Sequence, residues 1–371
     1  MKRLAPTAAW ALGILAALLA LGAYLSLWPV PVQPVAWKAP PAPGYVGVHA
    51  VNRWLGNLTL IPLGQESGPE HVALGPDGKL YAAVASGSIL RMNPDGSEQF
   101  VFSRTGGRVL GFDFDANGHL IAADAMLGLL AIDKNGKASL LSNQVAGDPI
   151  RYADAVVVAK NGKIYFSDAS RRFAPGAWGG TFEAAVLDIV EQQATGRILE
   201  YNPANQRTRV VAQGLSFANG VALSEDQQTL LVAETGRYRI WKVDVNARAL
   251  DVRQPSKQAS VLLDNLPGYP DNLMRGQFGL IWVGLSGPRS PVVDRMAEQP
   301  FLRAVTLRLP RFLWPLPKPY GHVFAFTEDG QVHVDMQDPE GKYPESTGVT
   351  ETPDRLYFQN LHNKVLGWKF R

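Results

Sequence analysis

Residues 66–96, ESGPEHVALGPDGKLYAAVASGSILRMNPDG, contain the unit from which most of the chain is built. Asp77-Gly78 is a turn sequence between two apolar runs, and Asn93 to Gly96 is a second turn after a third run. Apolar runs joined by such turns are typical of antiparallel hairpins. The stretch therefore predicts a small antiparallel sheet. Glu70 lies just before the first run, where an acid usually faces solvent, and its position requires an explanation.

The same arrangement, an apolar strand, a turn and a second apolar strand, recurs along the chain. The copies begin at Val72, Phe112, Val156, Val221, Asn272 and Val349. A third strand follows most of them, and their spacing is about 40 residues where no insertion intervenes, close to the period of propeller blades. We predict an all-β fold, a six-bladed β-propeller over residues 58–371. The early stretch LTLIPLG, residues 58–64, would add a strand to the last blade and close the ring.

Two segments interrupt this period, residues 171–195 and 286–320. Insertions of this length in a compact fold are usually lids or binding loops. In the second, apolar residues recur at helical spacing from Phe301 to Leu313, Pro310 prevents one continuous helix, and three arginines lie off the apolar face, Arg303, Arg308 and Arg311. We expect residues 301–316 either to lie on an anionic membrane surface or to cap the channel, and packing on the propeller rim is the alternative.

The N-terminus contains an uncharged segment, Ala8–Trp28, long enough to cross about 30 Å of hydrocarbon as a helix. Lys2 and Arg3 precede it and favour a cytoplasmic N-terminus. We expect an uncleaved single-pass anchor in the inner membrane within residues 1–30, a stiff proline-rich linker over residues 31–57, and a propeller that faces the periplasm. A cleaved signal peptide is the alternative, although no clear Ala-x-Ala cleavage site follows.

Composition excludes several classes of protein. The 371 residues are 46% hydrophobic, which is enough for a large core, so global disorder is not expected. The net charge is only +3 and no long run of Lys or Arg occurs, so we expect no nucleic-acid partner. The absence of cysteine excludes disulfides, a thiol nucleophile and cysteine-ligated zinc.

Polar residues recur at one place in the repeat, just before the first strand of a copy. They are Glu70, Asp154, Asn219 and the pair Asp271-Asn272. Each alone is an ordinary turn or strand-start residue, but independent turn residues need not share a position in the repeat. The innermost strands of a propeller line its channel, and hard cations bind several oxygen ligands. We therefore predict that these residues bind a metal in the channel. Asp113, in the second copy, is less well matched.

Four longer motifs carry a resemblance to a known family. They are IYFSDASRRF (164–173), GRILEYNP (196–203), LSFANGVALSEDQQTLLVAET (215–235) and LPGYPDNL (266–273). Together they resemble the strictosidine-synthase-like group of six-bladed propellers, which is related to the senescence marker protein/gluconolactonase family and more remotely to paraoxonases. The resemblance covers roughly residues 60–371 and is strongest from Asp154 to Asn272. It is specific for the superfamily and does not fix a substrate.

The resemblance implies a ligand set. In the metal-dependent members, Ca²⁺ or another divalent cation lies in the channel on a Glu, on Asn or Asp residues, and on an Asp of the fifth blade. These positions correspond here to Glu70, Asp154, Asn219 and Asp271, with Asn272 adjacent. Asp154 stands where an Asn is common, which makes the site more negative. The resemblance also implies that Asp271 transfers a proton.

Two branches of the resemblance imply different reactions. In the hydrolases a metal polarises a lactone or ester carbonyl and lowers the pKa of bound water. The plant alkaloid synthase performs a metal-free condensation with a Glu near its final blades, for which neither Glu328 nor Glu345 is a convincing match. The retained oxygen ligands favour a Ca²⁺-dependent hydrolase acting on a small-molecule lactone or ester. A condensing enzyme and a non-catalytic binding propeller with a structural metal are the alternatives.

Overall fold

Six antiparallel sheets follow one another along the chain and close into a ring, as predicted. The computed structural model describes residues 6–371; Lys2 and Arg3, on which the predicted membrane orientation depends, lie outside the described residues. The first strand of each sheet lies against the first strands of the two neighbouring sheets, so these six strands surround the axis. The fold is a six-bladed β-propeller.

Each blade contains four strands that run from the channel outward. The first strand is β1 Thr59–Pro62; blade 1 contains β2 His71–Leu74, β3 Leu80–Ala83, β4 Ser88–Met92 and β5 Phe100–Arg104, and blade 2 contains β6 Val109–Phe114, β7 Leu120–Asp124, β8 Gly128–Ile132 and β9 Ala138–Ser142. A small hairpin of β10 Gln144–Val145 and β11 Asp148–Pro149 follows; blade 3 contains β12 Ala153–Val158, β13 Ile164–Asp168, β14 Gly196–Asn202 and β15 Arg207–Leu215, and blade 4 contains β16 Ala218–Leu223, β17 Thr229–Glu234, β18 Arg239–Asp244 and, after the short β19 Leu250–Asp251, β20 Ala259–Leu263. Blade 5 contains β21 Gly268–Arg275, β22 Ile281–Pro288, β23 Gly321–Phe326 and β24 Val332–Asp338, and blade 6 contains β25 Ser346–Glu351, β26 Arg355–Asn360 and β27 Val365–Phe370, with β1 as its fourth strand. β19 pairs in parallel with β15 as a fifth strand of blade 3.

Helices lie only outside the blades within the described residues 6–371. The α-helices are α1 Pro6–Leu27, α2 Thr181–Glu191, α3 Pro291–Arg295 and α4 Pro300–Thr306, and single 3₁₀ turns cover Gly47–His49, Pro175–Ala177, Thr235–Arg237 and Arg311–Leu313. The first insertion supplies α2, and the second supplies α3 and α4. As expected from Pro310, the apolar periodicity of the second insertion is not one helix.

The ring closes where the first strand completes the last sheet. β1 pairs antiparallel with β27, from Thr59 opposite Trp368 to Pro62 opposite Val365. This confirms the prediction made for residues 58–64. Because the closing sheet contains strands from both ends of the propeller, both ends are paired and the ring is held by backbone hydrogen bonds.

Adjacent inner strands approach one another closely, backbone against backbone. A Cβ placed on Gly220 in β16 would lie 2.3 Å from the carbonyl oxygen of Asp271, and one placed on Gly111 in β6 would lie 2.8 Å from that of Asp154. No side chain fits at such distances, so glycine is required there. The close approach narrows the ring and brings the strand starts of different blades towards a common axis.

The closing strand provides a test of the register. Ile61 is 3% exposed and belongs to the core of blades 1 and 6, whereas its neighbour Leu60 is 44% exposed. We expect Ile61→Ala to lower the free energy of unfolding by about 2 to 5 kcal/mol, since it leaves a cavity. Leu60→Ala should change it by about 0.5 kcal/mol or less. Urea unfolding of the two variants measures both, and equal losses would contradict the register.

Candidate active site in the central channel

A cavity of about 670 Å³ occupies the end of the channel at which the inner strands begin. Four of the five predicted ligand residues line it, namely Glu70, Asp154, Asn219 and Asp271. Each is only 4–6% exposed. The structure therefore brings together polar residues that are up to about 200 positions apart in the sequence. Their role as metal ligands stays a prediction.

β-Bulges aim three of these side chains into the channel. The pairing register shifts across Asp154 in β12, across Asn219 in β16 and across Asp271 in β21. A bulge inserts an extra residue and redirects the side chain at that point. Glu70 directly precedes β2. In blade 2 the corresponding bulge of β6 presents Leu110 to the cavity, so the polar ring is interrupted there.

Asp113 and Asn272 have other partners. Asp113 lies beyond the bulge of β6, and its Oδ2 accepts a hydrogen bond from the Val158 N–H at 2.8 Å, which ties blade 2 to blade 3. The Asn272 side chain is buried, and its Nδ2 donates to the backbone carbonyl of Glu70 at 3.0 Å. The structure thus gives Asn272 a positioning contact behind Glu70, and a ligand role for it stays a prediction.

Arg108 is the channel residue that the sequence pattern did not reveal. Its Nη2 lies 2.9 Å from Glu70 Oε2, and each side chain is less than a tenth exposed. Its Nη1 is buried and has no hydrogen-bond partner in the part of the chain that the structure describes. Arg108 stands in the loop before β6, outside the hairpin repeat, so no motif marks it. It adds a permanent positive charge and an unpaired N–H donor beside the cavity.

Acids at the ends of second strands hold the loops that carry channel residues. Asp124, at the end of β7, accepts a hydrogen bond from the Arg108 N–H at 3.0 Å. Asp168, at the end of β13, accepts a hydrogen bond from the Tyr152 N–H at 2.9 Å. Glu234, at the end of β17, accepts one from a backbone N–H of the loop before β16. The signal was visible in the sequence, because an acid ends the second strand of three successive copies. The role of these acids becomes visible only in the fold, since they accept hydrogen bonds from backbone N–H groups.

Burial and mutual repulsion govern the charges of the site. Burial raises the pKa of Asp154 well above its ordinary value, and the negative charges of Asp271 and Glu70 raise it further. Burial and Glu70 likewise raise the pKa of Asp271. Burial raises the pKa of Glu70 too, against the opposing effect of Arg108. One arginine does not neutralise three carboxylates, so the site favours additional positive charge, as protons or as a cation.

The residues fit a hard cation in chemical type. Three carboxylates and one amide supply oxygen ligands, and Asn219 Oδ1 is buried without a hydrogen-bond partner among residues 6–371. Two features oppose this fit. Arg108 already engages Glu70, and the channel carboxylates are not among the His, Asp and Glu residues whose ligand atoms lie within 4.8 Å of one another in the described chain. A cation here therefore requires these side chains to close in.

A second ionic pair stands at the rim of the cavity. His362 Nδ1 lies 2.5 Å from Glu345 Oε2, and both residues line the cavity. The hydrogen bond to Glu345 raises the pKa of His362. Phe182, in α2, meets the His362 ring edge to face. The rim thus contains an acid–base pair, which the sequence analysis did not distinguish from structural residues.

Both insertions cover the mouth of the channel. Residues of α2, α4 and the segment from Trp314 to Pro319 line the cavity, which confirms the capping role expected of the second insertion. Two of its three arginines bind backbone carbonyls instead of facing outward. Arg303 is buried and donates to Val190 O at 2.8 Å, and Arg308 donates to Trp28 O at 2.7 Å. Two of the three arginines that motivated a membrane-surface contact are therefore bound within the protein.

The fold and the channel define a six-bladed propeller with a capped, acid-lined cavity. Comparison with known families agrees with this class. The strictosidine synthase family model matches residues 154–248, and the model of the strictosidine synthase-like N-terminal region matches residues 47–92. Strictosidine synthase-like protein 6 of Arabidopsis thaliana is 32% identical over 293 residues, which cover 76% of this chain and 72% of that protein. The chain belongs to the strictosidine synthase-like family.

Other relatives extend the comparison. Strictosidine synthase-like protein 13 of the same plant is 32% identical over 253 residues, 66% of this chain, and the match spans only 59% of that relative's length. A gluconolactonase from Xanthomonas campestris has a similar structure, with a TM-score of 0.61 at 18% identity over 92% of this chain and 99% of that one. The calcium-binding protein regucalcin from Agrobacterium tumefaciens gives 0.54 at 13% identity over 84% and 93%. At these identities the two structures show a shared fold.

The buried carboxyls predict how stability depends on pH. When the folded-state pKa of a carboxyl lies above its unfolded value, its stabilising effect is present at low pH and is lost as the pH rises through the folded-state pKa. We therefore expect the protein in chelator to melt at a lower temperature as the pH is raised from about 5 to about 8. Asp271→Asn should flatten this dependence, because it removes one such group.

The matched control is Asp264→Asn, at an exposed carboxylate shortly before β21. It should keep the slope of the wild-type protein. Thermal melting by circular dichroism at several pH values measures all three proteins. If Asp271→Asn melted with the wild-type slope, the raised pKa of Asp271 would be refuted.

Proposed function

We propose that this protein is a divalent-metal-dependent hydrolase of lactones or esters, with Ca²⁺ as the favoured ion, held at a membrane by α1. One observation carries the proposal: buried oxygen ligands from four different blades line a single capped cavity. Burying several acids together is costly unless they are neutralised. Buried acids with perturbed pKa values cluster at functional sites. The names of the similar structures, a gluconolactonase and a calcium-binding regucalcin, support the proposal.

Glu70, Asp154, Asn219 and Asp271 would hold the ion. When bound, it would polarise the substrate carbonyl and lower the pKa of an attacking water. Asp271 is suited to carry a proton, because burial and Glu70 raise its pKa while hydrogen bonds from Ser286 and Asn219 act in the opposite direction. Its carboxyl thus has a raised proton affinity and fixed neighbours that orient it.

Arg108 is suited to bind the oxygen on which negative charge develops. Glu70 fixes one of its terminal nitrogens at 2.9 Å, while the other, Nη1, is buried without a partner in the described chain. A preorganised N–H donor in a site that excludes water stabilises an oxyanion strongly. The walls above it are apolar, with Leu110, Met126 and Phe217 among them. We infer a substrate with a polar carbonyl end and an apolar remainder.

Contacts at the end of α1 support anchoring next to the mouth. The part of α1 from Trp10 to Leu27 is long and apolar enough to cross a membrane. Its length and composition fit a membrane span or a signal sequence equally well. Arg308, in the capping insertion, donates to Leu25 O at 3.0 Å, and the Tyr24 hydroxyl donates to Arg308 O at 3.1 Å. A segment that is only a cleaved leader has no need of such contacts. We propose an uncleaved anchor, with the propeller in the periplasm.

The chemistry is tested with purified protein on a panel of lactones and esters. We expect turnover with Ca²⁺ or another divalent ion, loss of turnover in chelator, and recovery when the ion is restored. Asp271→Asn should lower kcat by about 100-fold or more at saturating metal, since it removes the proton-transfer group. Asp264→Asn is the control and should leave kcat unchanged.

Three outcomes would count against the proposal. Turnover that persists in chelator and in Asp271→Asn would exclude this metal and this residue. An absence of turnover on the whole panel, with Ca²⁺ still raising the melting temperature of the wild type and not of Glu70→Gln, would indicate a non-catalytic metal-binding propeller. Identical melting temperatures for the wild type and Glu70→Gln, with Ca²⁺ and with chelator, would exclude the metal site itself.

The capping insertion also carries exposed apolar side chains that predict membrane contact. Phe312 is 84% exposed and Leu313 is 53% exposed, on the same insertion that binds the end of α1. For the protein lacking residues 1–28, we expect the double change Phe312→Ser and Leu313→Ser to weaken binding to liposomes about tenfold or more. Phe278→Ser is the control, because Phe278 is 79% exposed in the turn at the far end of β21 from Asp271. Liposome flotation measures binding, and equal effects would contradict a membrane-facing cap.

A further inference from the structure

Two histidines and an aspartate meet outside the channel, where the linker crosses blade 5. His322 lies in β23, Asp335 in β24, and His49 in the 3₁₀ turn Gly47–His49 of the linker. His322 pairs with Gln337, so Asp335, two residues earlier on the same strand, presents its side chain on the same face of the sheet. The two strands fix two of the three side chains, and the linker brings the third.

The three side chains converge on one point. His49 Nδ1 lies 2.7 Å from Asp335 Oδ2, and His322 Nε2 lies 2.8 Å from the same oxygen. The three atoms all lie within 4.8 Å of one another, and in the described chain no other group of His, Asp or Glu residues reaches this density. Two imidazole nitrogens and one carboxylate oxygen form a mixed donor set, unlike the all-oxygen set of the channel.

The surroundings hold these groups in place. Asp335 Oδ1 accepts hydrogen bonds from Asn52 Nδ2 at 3.0 Å and from Gln337 Nε2 at 2.5 Å, so the carboxylate cannot rotate freely. Such outer hydrogen bonds orient metal ligands in proteins. His322 is 1% exposed, so the packing around it fixes the position of its ring.

We propose that His49, His322 and Asp335 bind one divalent transition-metal ion of the zinc type, and that this ion fastens the linker to blade 5. Imidazole and carboxylate ligands suit Zn²⁺, whereas Ca²⁺ takes oxygen ligands. Bonds of about 2.0–2.2 Å to a tetrahedral ion separate its ligands by roughly 3.3 Å. Each nitrogen must therefore move roughly half an ångström from Asp335, which a small side-chain rotation provides. A water molecule on the partly exposed side of His49 would complete the coordination.

The alternative is a metal-free cluster in which both imidazoles donate to Asp335. The two arrangements differ in what they require of the histidines, since a metal needs their lone pairs and the cluster needs their N–H groups. They also differ in their response to added metal, because only the proposed site binds the ion. The inference is independent of the proposed hydrolase activity, because none of the three side chains lines the channel cavity.

Cobalt substitution tests the site in the full-length protein purified in detergent. After chelation, Co²⁺ should give the d–d absorption of a four-coordinate ion with one ion per chain, and Zn²⁺ should displace it. His49→Gln and His322→Gln should abolish the band, and Asn52→Ala should weaken binding about 10- to 100-fold by freeing the carboxylate. Glu70→Gln, in the channel, should leave the band intact and serves as the matched control.

Proteolysis of the linker provides a second readout. Zn²⁺ should slow cleavage between residues 36 and 56 in the wild-type protein and not in His49→Gln, whose side chain lies in the linker and outside the blades. The proposal is overturned if Co²⁺ gives no band and Zn²⁺ changes neither proteolysis nor melting, which would leave the hydrogen-bonded cluster. It is equally overturned if the band survives His49→Gln and disappears in Glu70→Gln, because the ion would then belong to the channel.

Discussion

The close approach of the six inner strands is the constraint on which the rest of the molecule depends. Glycines such as Gly111 and Gly220 allow neighbouring backbones to meet with no side chain between them. A ring this tight has little room for side chains at its axis, so those that enter do so through bulges or, as Glu70 and Arg108 do, from the loop just before an inner strand. The pairing of β1 with β27 closes the ring and fixes its circumference. The geometry of the channel residues is therefore a consequence of blade packing.

Buried charge is the second constraint, and it follows from the first. Once the bulges of β12 and β21 direct Asp154 and Asp271 to the axis, burial raises the pKa of both carboxyls and the negative charge of Glu70 raises both further. Arg108 relieves part of this repulsion by pairing with Glu70. The remaining acids must be protonated or bound to a cation. The proposed proton-carrying and cation-binding roles are thus two states of the same cluster, and metal concentration and pH would select between them.

The repeat could be predicted from the sequence because hairpins are local. Asp-Gly and Asn-Gly turns and apolar runs fix each blade within about 40 residues, and copies in register reveal which positions face the axis. Glu70, Asp154, Asn219 and Asp271 were found in this way. Asp113 matched this position less well, and the structure places it beyond the bulge of β6, which the alternation of FDFD does not show.

Contacts between residues far apart in the chain could not be predicted from the sequence. The side chain of Asn272 turns to the backbone of Glu70, about 200 residues away in the chain, and nothing local indicates that contact. Arg108 depends on a loop fixed by Asp124. The helical spacing predicted only that Arg303 and Arg308 lie off the apolar face, and both side chains bind carbonyl oxygens contributed by segments far away in sequence. Periodicity reports which face of an element is apolar and does not report what an arginine on the other face will bind.

The linker connects these observations to the position of the channel mouth. A proline-rich segment is expected to be a stiff spacer, but here it is bonded along the propeller: the Val35 N–H donates to Glu191 O at 2.9 Å, the Trp37 N–H donates to Ala297 O at 3.1 Å, and His49 meets Asp335. The first two contacts are made to the insertions that cap the cavity. Any displacement of α1 relative to the propeller would break them and disturb the cap. As the proposed anchor, α1 would therefore fix the orientation of the mouth, and the proposed substrate with an apolar remainder would enter from the side where α1 ends.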